Sequence, residues 1–464
     1  MFVRLLPATA AAALAIAFPG VPARGEPGIR ITHLPTMGQC GTALGTTSDV
    51  EPADYYAAVL IYIPGSGWWS KPFCDPRVVS VQPNGEWSAK ICTGGIDNTA
   101  AIVEAYLIPR SGYPTCYPAC VLGAGCVPQT LKDAAVACDR TLRPGHRKMR
   151  WSGIDWLVKT GALPVGPGPN YFSTSTENVW VDNQDRLHLR VTNRDGRWYC
   201  AEIYSEHKLG YGTYRLYLDG RVDDLDPNIV LGLFTWSDHT CEYAHREIDI
   251  EFSSWGVPGD PNAQFVIQPW YTPGNRERFM MTAAPKSTHV FSWQPDEVRF
   301  TSFEGHCHAP SACTVVRSWT YSKTSGIPLS GDERVHLNLW LREGLAPTNG
   351  QEREVVISRF EFDPFRGPGL PLRGISNRDA RRPPADSANS LFRVWGRVLA
   401  SDCSTFTLDD GSREGGSALP VRVFEAGHTL EPNERAVAEG LLLPGGSVTT
   451  VDASAGRVWT IATD

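Results

Sequence analysis

The stretch HREIDIEFSSWG, residues 245–256, sets Glu247, Asp249 and Glu251 at every second position. Ile248, Ile250 and Phe252 alternate with them, the period-two pattern of a strand with one apolar and one acidic face. Successive acids on such a face stand about 7 Å apart. Like charges held that close raise one another's pKa, so one carboxyl can keep its proton near neutral pH. A solvated edge strand would more naturally mix Lys, Thr and Ser there, so an acidic row suits a cation site or acid–base chemistry. Cleavage of a glycosidic bond with retention needs two carboxyl groups about 5–5.5 Å apart, one to attack the anomeric carbon and one to protonate the leaving oxygen. Glu247 and Glu251 are about 13 Å apart at Cα on a flat strand. Long side chains and strand curvature would have to close that gap, with Asp249 between them placed to hydrogen-bond the nucleophile.

The elements that must hold these acids read as an all-β domain over residues 150–365. LHLRVT, GTYRLYL, IVLGLFTW, REIDIEF, AQFVIQPW, HVFSWQ, EVRFTSF, RVHLNLWL and EVVISRFEF recur between short polar turns, a length and strand count that fit a two-sheet jelly roll. Residues 29–138 read as a smaller β-module, for which an immunoglobulin-like sandwich is expected. Trp68 and Trp69 in it are either packed or an exposed sugar platform. RGPGLPLRGISNRDARRPPADS, within 366–390, is a Pro-, Arg- and Gly-rich linker. Residues 391–464 restart with short strands and a DDG turn that suggest a small OB-like barrel.

Composition narrows the function. The 464 residues carry a net charge of −7, 20% charged residues and no long basic run, which argues against a nucleic-acid partner. Fifteen Trp suit sugar stacking and β-sandwich cores equally. Residues 1–23 combine Arg4, an apolar run from Leu5 to Phe18 and small residues around Val21–Ala23, the pattern of a secretory signal. No later run is long and apolar enough to span a membrane. Twelve Cys suit a disulfide-bonded exported chain, secreted or periplasmic. Spacing suggests Cys307–Cys313 and Cys200–Cys241 as bridges, with an odd cysteine among the first seven. His306 and His308 flank Cys307, where a disulfide is favoured over a metal site.

EIDIEF resembles the signature of glycoside hydrolase family 16, the laminarinases, lichenases, agarases and carrageenases. WYCAEIYSEHKLGYGTYRLYL, LGLFTW, THVFSWQPDEVRF and HLNLWL resemble that family's other strands in the same order, so the likeness covers roughly residues 170–362. It implies a concanavalin A-like jelly roll and an endo-acting retaining hydrolase of polysaccharides. Glu247 would be the nucleophile, Asp249 the assisting acid and Glu251 the general acid/base. Glu202, Trp236, Asn338 and Trp340 would contact sugar, and Gln268 and Trp270 are placed to face the cleft.

The chain departs from the family where His245 replaces a common Trp and Tyr204 a common Arg, which leaves the polysaccharide unassigned. His245 and His239 either bind sugar or pack against a neighbouring loop, and Arg246 should point to the opposite face. The competing readings are a carbohydrate-binding protein without turnover and a transglycosylase, which shares the covalent intermediate. A monomer without metal or organic cofactor is expected. A structural calcium, known in some relatives, has no diagnostic ligand spacing here.

Overall fold

The computed structural model describes residues 27–365 apart from 114–116, 118, 162, 309–310, 312 and 324–325. Between 372 and 460 it describes all but 375, 381–390, 402–404, 415–416, 419–420, 425–434 and 444–448. The expected signal, most of the linker, Cys116 and Cys403 lie outside the described residues. The chain is nearly all β, in large antiparallel sheets.

The sheet that carries the acids contains β1 (Ile154–Val158), β2 (Arg197–Ser205), β3 (Ile229–Trp236), β4 (Ile248–Phe252), β5 (Ala263–Ile267), β6 (Arg276–Phe279) and β7 (Arg334–Leu341), with Lys148–Trp151 added at the edge beside β1. Their order across the sheet is β6-β5-β4-β3-β7-β2-β1, antiparallel throughout. Alternation decides which side each residue takes. Phe265, Ile250, Leu233, Leu337 and Ile203 stand opposite one another in a single row, and all are fully buried. They pack on a second sheet built from Leu187–Arg194, Arg353–Pro364, Gly212–Asp219, Lys286–Trp293, Val298–Glu304 and Val315–Tyr321, with Leu189, Leu216, Phe291, Phe300 and Ile357 in the shared core. The result is a two-layer sandwich.

Residues 28–142 form two further sheets. One holds Gly28–His33, Thr42–Ser48 and Glu86–Lys90. The other is centred on Tyr55–Ile63, paired with Gly67–Lys71 and Ile102–Pro109. Ala57, Val59 and Ile61 enter the core between these sheets, whereas Ala58, Leu60 and Trp68 join a second cluster on the opposite side. Both faces are buried, hence the unbroken apolar run in YYAAVLIYI. Trp68 is therefore a packed residue, and its indole nitrogen donates to the Asp238 carbonyl of the sandwich at 2.7 Å.

After residue 390, five strands close into a ring. Leu391–Ser401 pairs with Thr405–Asp409, then come Val421–Phe424, Thr449–Thr460 and Arg435–Leu443, which returns to the first.

The expected Cys200–Cys241 bridge is not formed. Cys241 lies on an exposed loop and joins Cys126 of the N-terminal module, while Cys200 is a free thiol inside β2, pushed up to about 12 by burial. A thiol enclosed within a central strand has no access to a cysteine on the rim. Cys307–Cys313 forms as expected, and Cys40–Cys92 and Cys74–Cys120 close within the first module.

Candidate active site

The face of β4 opposite the core points into a cavity of about 320 Å³. Glu247, which immediately precedes β4, Asp249 and Glu251 all line it. Register extends Glu251 and Asp249 into two rows across the sheet. Gln264, Glu251, Gly232, Asn338 and Glu202 form one row, and Val266, Asp249, Phe234, His336 and Tyr204 the next. Gly232 leaves the space beside Asn338, because a Cβ there would fall 2.6 Å from its Oδ1. The carboxyl-bearing face thus continues sideways as a polar and aromatic floor, while the reverse face of the same strands is the apolar core.

Burial acts first on the three acids and raises all of their pKa values. Glu247 is pushed to about 8, with the Glu251 charge adding to desolvation. Glu251 is pushed to about 7, held back by Gln264, whose Nε2 donates to Oε2 at 2.7 Å, and by Arg276. Asp249 is 2% exposed, and burial pushes its pKa well up, with both glutamates adding to the effect by repelling its charge. Protonated Asp249 shares a hydrogen bond with Glu247 that favours the Glu247 anion, and Gln268 Nε2 donates to Asp249 Oδ2 at 2.9 Å. The cluster therefore carries protons at neutral pH, distributed over three coupled groups.

Glu202 behaves differently. Lys159 Nζ lies 2.9 and 3.0 Å from its two oxygens and His336 Nδ1 2.9 Å from one of them. Although burial opposes ionisation, these partners hold Glu202 below the usual carboxylate range. His336 is sandwiched between Tyr204 and Phe234, with ring centroids 5.3 and 4.8 Å away. Glu202 is thus an anchored anion on the floor.

The turn leading into Glu247 is unusual. Tyr243, Ala244, His245 and Arg246 have φ of 50, 50, 66 and 58°, four consecutive non-glycine residues in the left-handed region. Such geometry costs roughly 1–2 kcal/mol per residue. It is held by Thr235 Oγ1 donating to the Arg246 carbonyl (2.7 Å), Ser237 N donating to the His245 carbonyl (2.9 Å) and an Arg246–Glu242 ion pair (2.7 Å). Backbone strain held by its surroundings in this way is found at many functional positions.

Of the residues expected at the site, Glu247, Asp249, Glu251, Glu202, Trp236, Asn338 and Trp340 line the cavity. Gln268 supports Asp249 from the end of β5. His245 stacks behind Trp236 at 4.0 Å and His239 binds Glu104 of the N-terminal module, so both take the packing alternative. Trp270 is 52% exposed on the turn after β5, beneath Arg276. Gln264, Lys159, His336, Tyr62 and Asp238 were not anticipated. Gln264 had a signal, since it shares the period-two face of AQFVIQ with Gln268. Lys159, His336 and Tyr62 reach the site from strands or modules distant in sequence, whereas Asp238 lies two residues after Trp236. Among the described residues, no group of three or more His, Cys, Asp and Glu could hold a metal ion, and no helix is long and apolar enough to cross a membrane.

No known protein family and no curated protein matches the sequence. Solved structures do show partial likeness. A Bacillus licheniformis β-glucanase is 20% identical with a TM-score of 0.34, covering 48% of this chain and 99% of its own. A prokaryotic β-1,3-1,4-glucanase (lichenase) derived from a mouse hindgut metagenome is 18% identical with a TM-score of 0.34, covering 45% and 93%. A pseudo β-1,3-glucanase of Mycobacterium tuberculosis is 18% identical with a TM-score of 0.35, covering 45% and 91%. At these values the likeness carries no argument about chemistry, which rests on the site itself.

Proposed function

We propose that this chain is an exported retaining glycoside hydrolase acting on a polysaccharide. The observation that carries the reading is the row of three partly or fully buried carboxyls facing one cavity, all with raised pKa values. Glu247, as the anion, would attack the anomeric carbon while protonated Glu251 delivers its proton to the departing glycosidic oxygen. Water, deprotonated by Glu251, would then displace Glu247 and restore both groups. Protonated Asp249 would donate a hydrogen bond to the Glu247 carboxylate in the resting state, keeping the nucleophile ionised and oriented. Trp236 and Trp340 would flank the sugar rings, and Asn338 would hydrogen-bond hydroxyls. The Cys126–Cys241 and other bridges fit export, and the ring of five strands after residue 390 fits a small OB-like accessory barrel.

The test is reducing-end release from laminarin, lichenan, xyloglucan, agarose and carrageenan by the parent and by Glu247→Gln. The parent should cut at least one polymer, and the variant should lose at least a thousandfold in kcat. A variant that keeps the parent's rate would remove Glu247 from the mechanism. A parent that cuts nothing, while both proteins bind one polymer equally, would mark a carbohydrate-binding protein.

A further inference from the structure

The cavity is not built by the sandwich alone. Tyr62, Pro64, Gly65, Ala101, Ile102 and His146, all from the N-terminal module or its exit, line it together with the three acids. Their position is specific. Gly65, at the turn after Tyr55–Ile63, abuts Val165: a Cβ on Gly65 would lie 2.4 Å from Val165 Cγ1. The loop containing Val165 is tied to the floor, since Lys159 Nζ binds both the Gly166 carbonyl and Glu202, and Asn170 Nδ2 binds the Leu341 carbonyl. Tyr62 donates to Asp238 Oδ1 at 2.6 Å, the same oxygen that accepts from Trp236 Nε1 at 3.0 Å. The module therefore reaches from the end of β3 to the loop after β1, and its Gly65 turn stands over the β2–β1 end of the floor.

The opposite end has a different character. Beyond Glu251 lie only β5 and β6, the margin of the sheet, and then a turn exposing Trp270 and Tyr271, the latter 71% exposed. The docking of the module is fixed at the loop after β3 and the segment before β7. Cys126–Cys241 links the two parts covalently, Trp68 binds the Asp238 carbonyl, Glu104 meets His239 at 2.9 Å and Arg140 meets Asp332 at 3.5 Å.

From these contacts we infer that the N-terminal module is the end wall of the cleft, so that the protein takes a glycan terminus and releases short products from it. This rests on the hydrolase reading above and replaces the internal cleavage that the family resemblance implies. From Glu251 to Glu202 the row crosses three inter-strand steps, about 14 Å, room for about two or three sugar rings before the wall. Each turnover would break one glycosidic bond with one water, leaving the short fragment at the walled end and the remaining polymer on the Trp270 side.

The parent, assayed on the polymer it cuts best, should release a di- or trisaccharide from the first minutes while mean polymer length, followed by size exclusion, falls slowly. A cyclic glucan of the same linkage, lacking any terminus, should be cut at least a hundredfold more slowly than the linear one. A steep early loss of polymer length, or equal rates on linear and cyclic glucans, would overturn the inference while leaving the hydrolase intact. A triple variant, Cys126→Ser, Cys241→Ser and Arg140→Ala, should release the wall and gain internal cleavage; an unchanged product pattern in the folded variant would count against the module. If that variant does not fold, the parent's profile decides alone. If no polymer is cut, the hydrolase reading fails, and oligosaccharide binding to Glu247→Gln decides the shape of the cleft. Affinity levelling off at about three sugars supports a walled cleft, whereas affinity rising through six, or no binding, overturns it.

Discussion

Asp249 stands between two glutamates, and its neighbours decide what the set can do. Three carboxyls removed from water cannot all ionise, so the site retains protons that a solvent-exposed trio would lose. The three coupled carboxyls share their protons, so the working form is the one with Glu247 ionised and Glu251 protonated, and activity should fall on the alkaline side once Glu251 gives up the proton needed by the leaving group. Gln264 holds the Glu251 pKa down, so Gln264→Leu should move the alkaline limb of kcat/KM upward by about half a unit to one unit. A pH–rate profile with an unmoved limb would disconnect Gln264 from the acid. The stability consequence has the opposite sign to that of an ordinary paired carboxylate. A carboxyl whose folded pKa is raised favours folding below its unfolded pKa, about 4.5, and progressively opposes it as pH climbs toward the folded value. Glu251→Gln should therefore raise stability at pH 8 by about 1–3 kcal/mol and have little effect near pH 4, measured by urea denaturation at both pH values.

At the scale of the element, β4 has two faces with opposite effects on stability. Ile248, Ile250 and Phe252 are fully buried and each contributes roughly 1.5–3 kcal/mol, enough to offset the repulsion on the acid side. That balance explains why a strand can keep three acids in a row. The left-handed turn before it is a separate device. Ala244 sits at φ 50° and ψ 57°, and replacing it by glycine removes only a methyl group. Ala244→Gly should stabilise the protein by about 0.5–1 kcal/mol, since glycine adopts this conformation freely. A destabilised variant in the same denaturation experiment would show that the turn is not strained.

At the scale of the molecule, the sandwich and the N-terminal module act as one unit. Cys126 and Cys241 are 115 residues apart, so their bond constrains a long stretch of the unfolded chain. Replacing both with Ser should lower stability by about 2–4 kcal/mol. Calorimetry should also show the module and sandwich separating into two transitions; a single transition at the parent's Tm would mean the non-covalent contacts suffice.

Much of the site was legible locally. Strand periodicity is a property of adjacent residues, so REIDIEF by itself announced both a buried face and an acidic one, and Gln268, Asn338 and Trp340 lay on strands of the same readable kind. Gln264 was equally readable from AQFVIQ and was missed. Other features had no local trace, because sequence neighbours do not determine which strands become sheet neighbours. Lys159, 43 residues before Glu202, and His336, 134 residues after it, meet Glu202 only through strand pairing, and together they hold it as an anchored anion. Cys241 found Cys126 in place of Cys200, and His239 and His245 turned to packing, for the same reason. The sequence alone determined the chemistry available on β4, since alternation follows from backbone geometry. Where the cleft ends was decided by tertiary structure, because the wall is a separate module whose docking depends on contacts no single strand encodes.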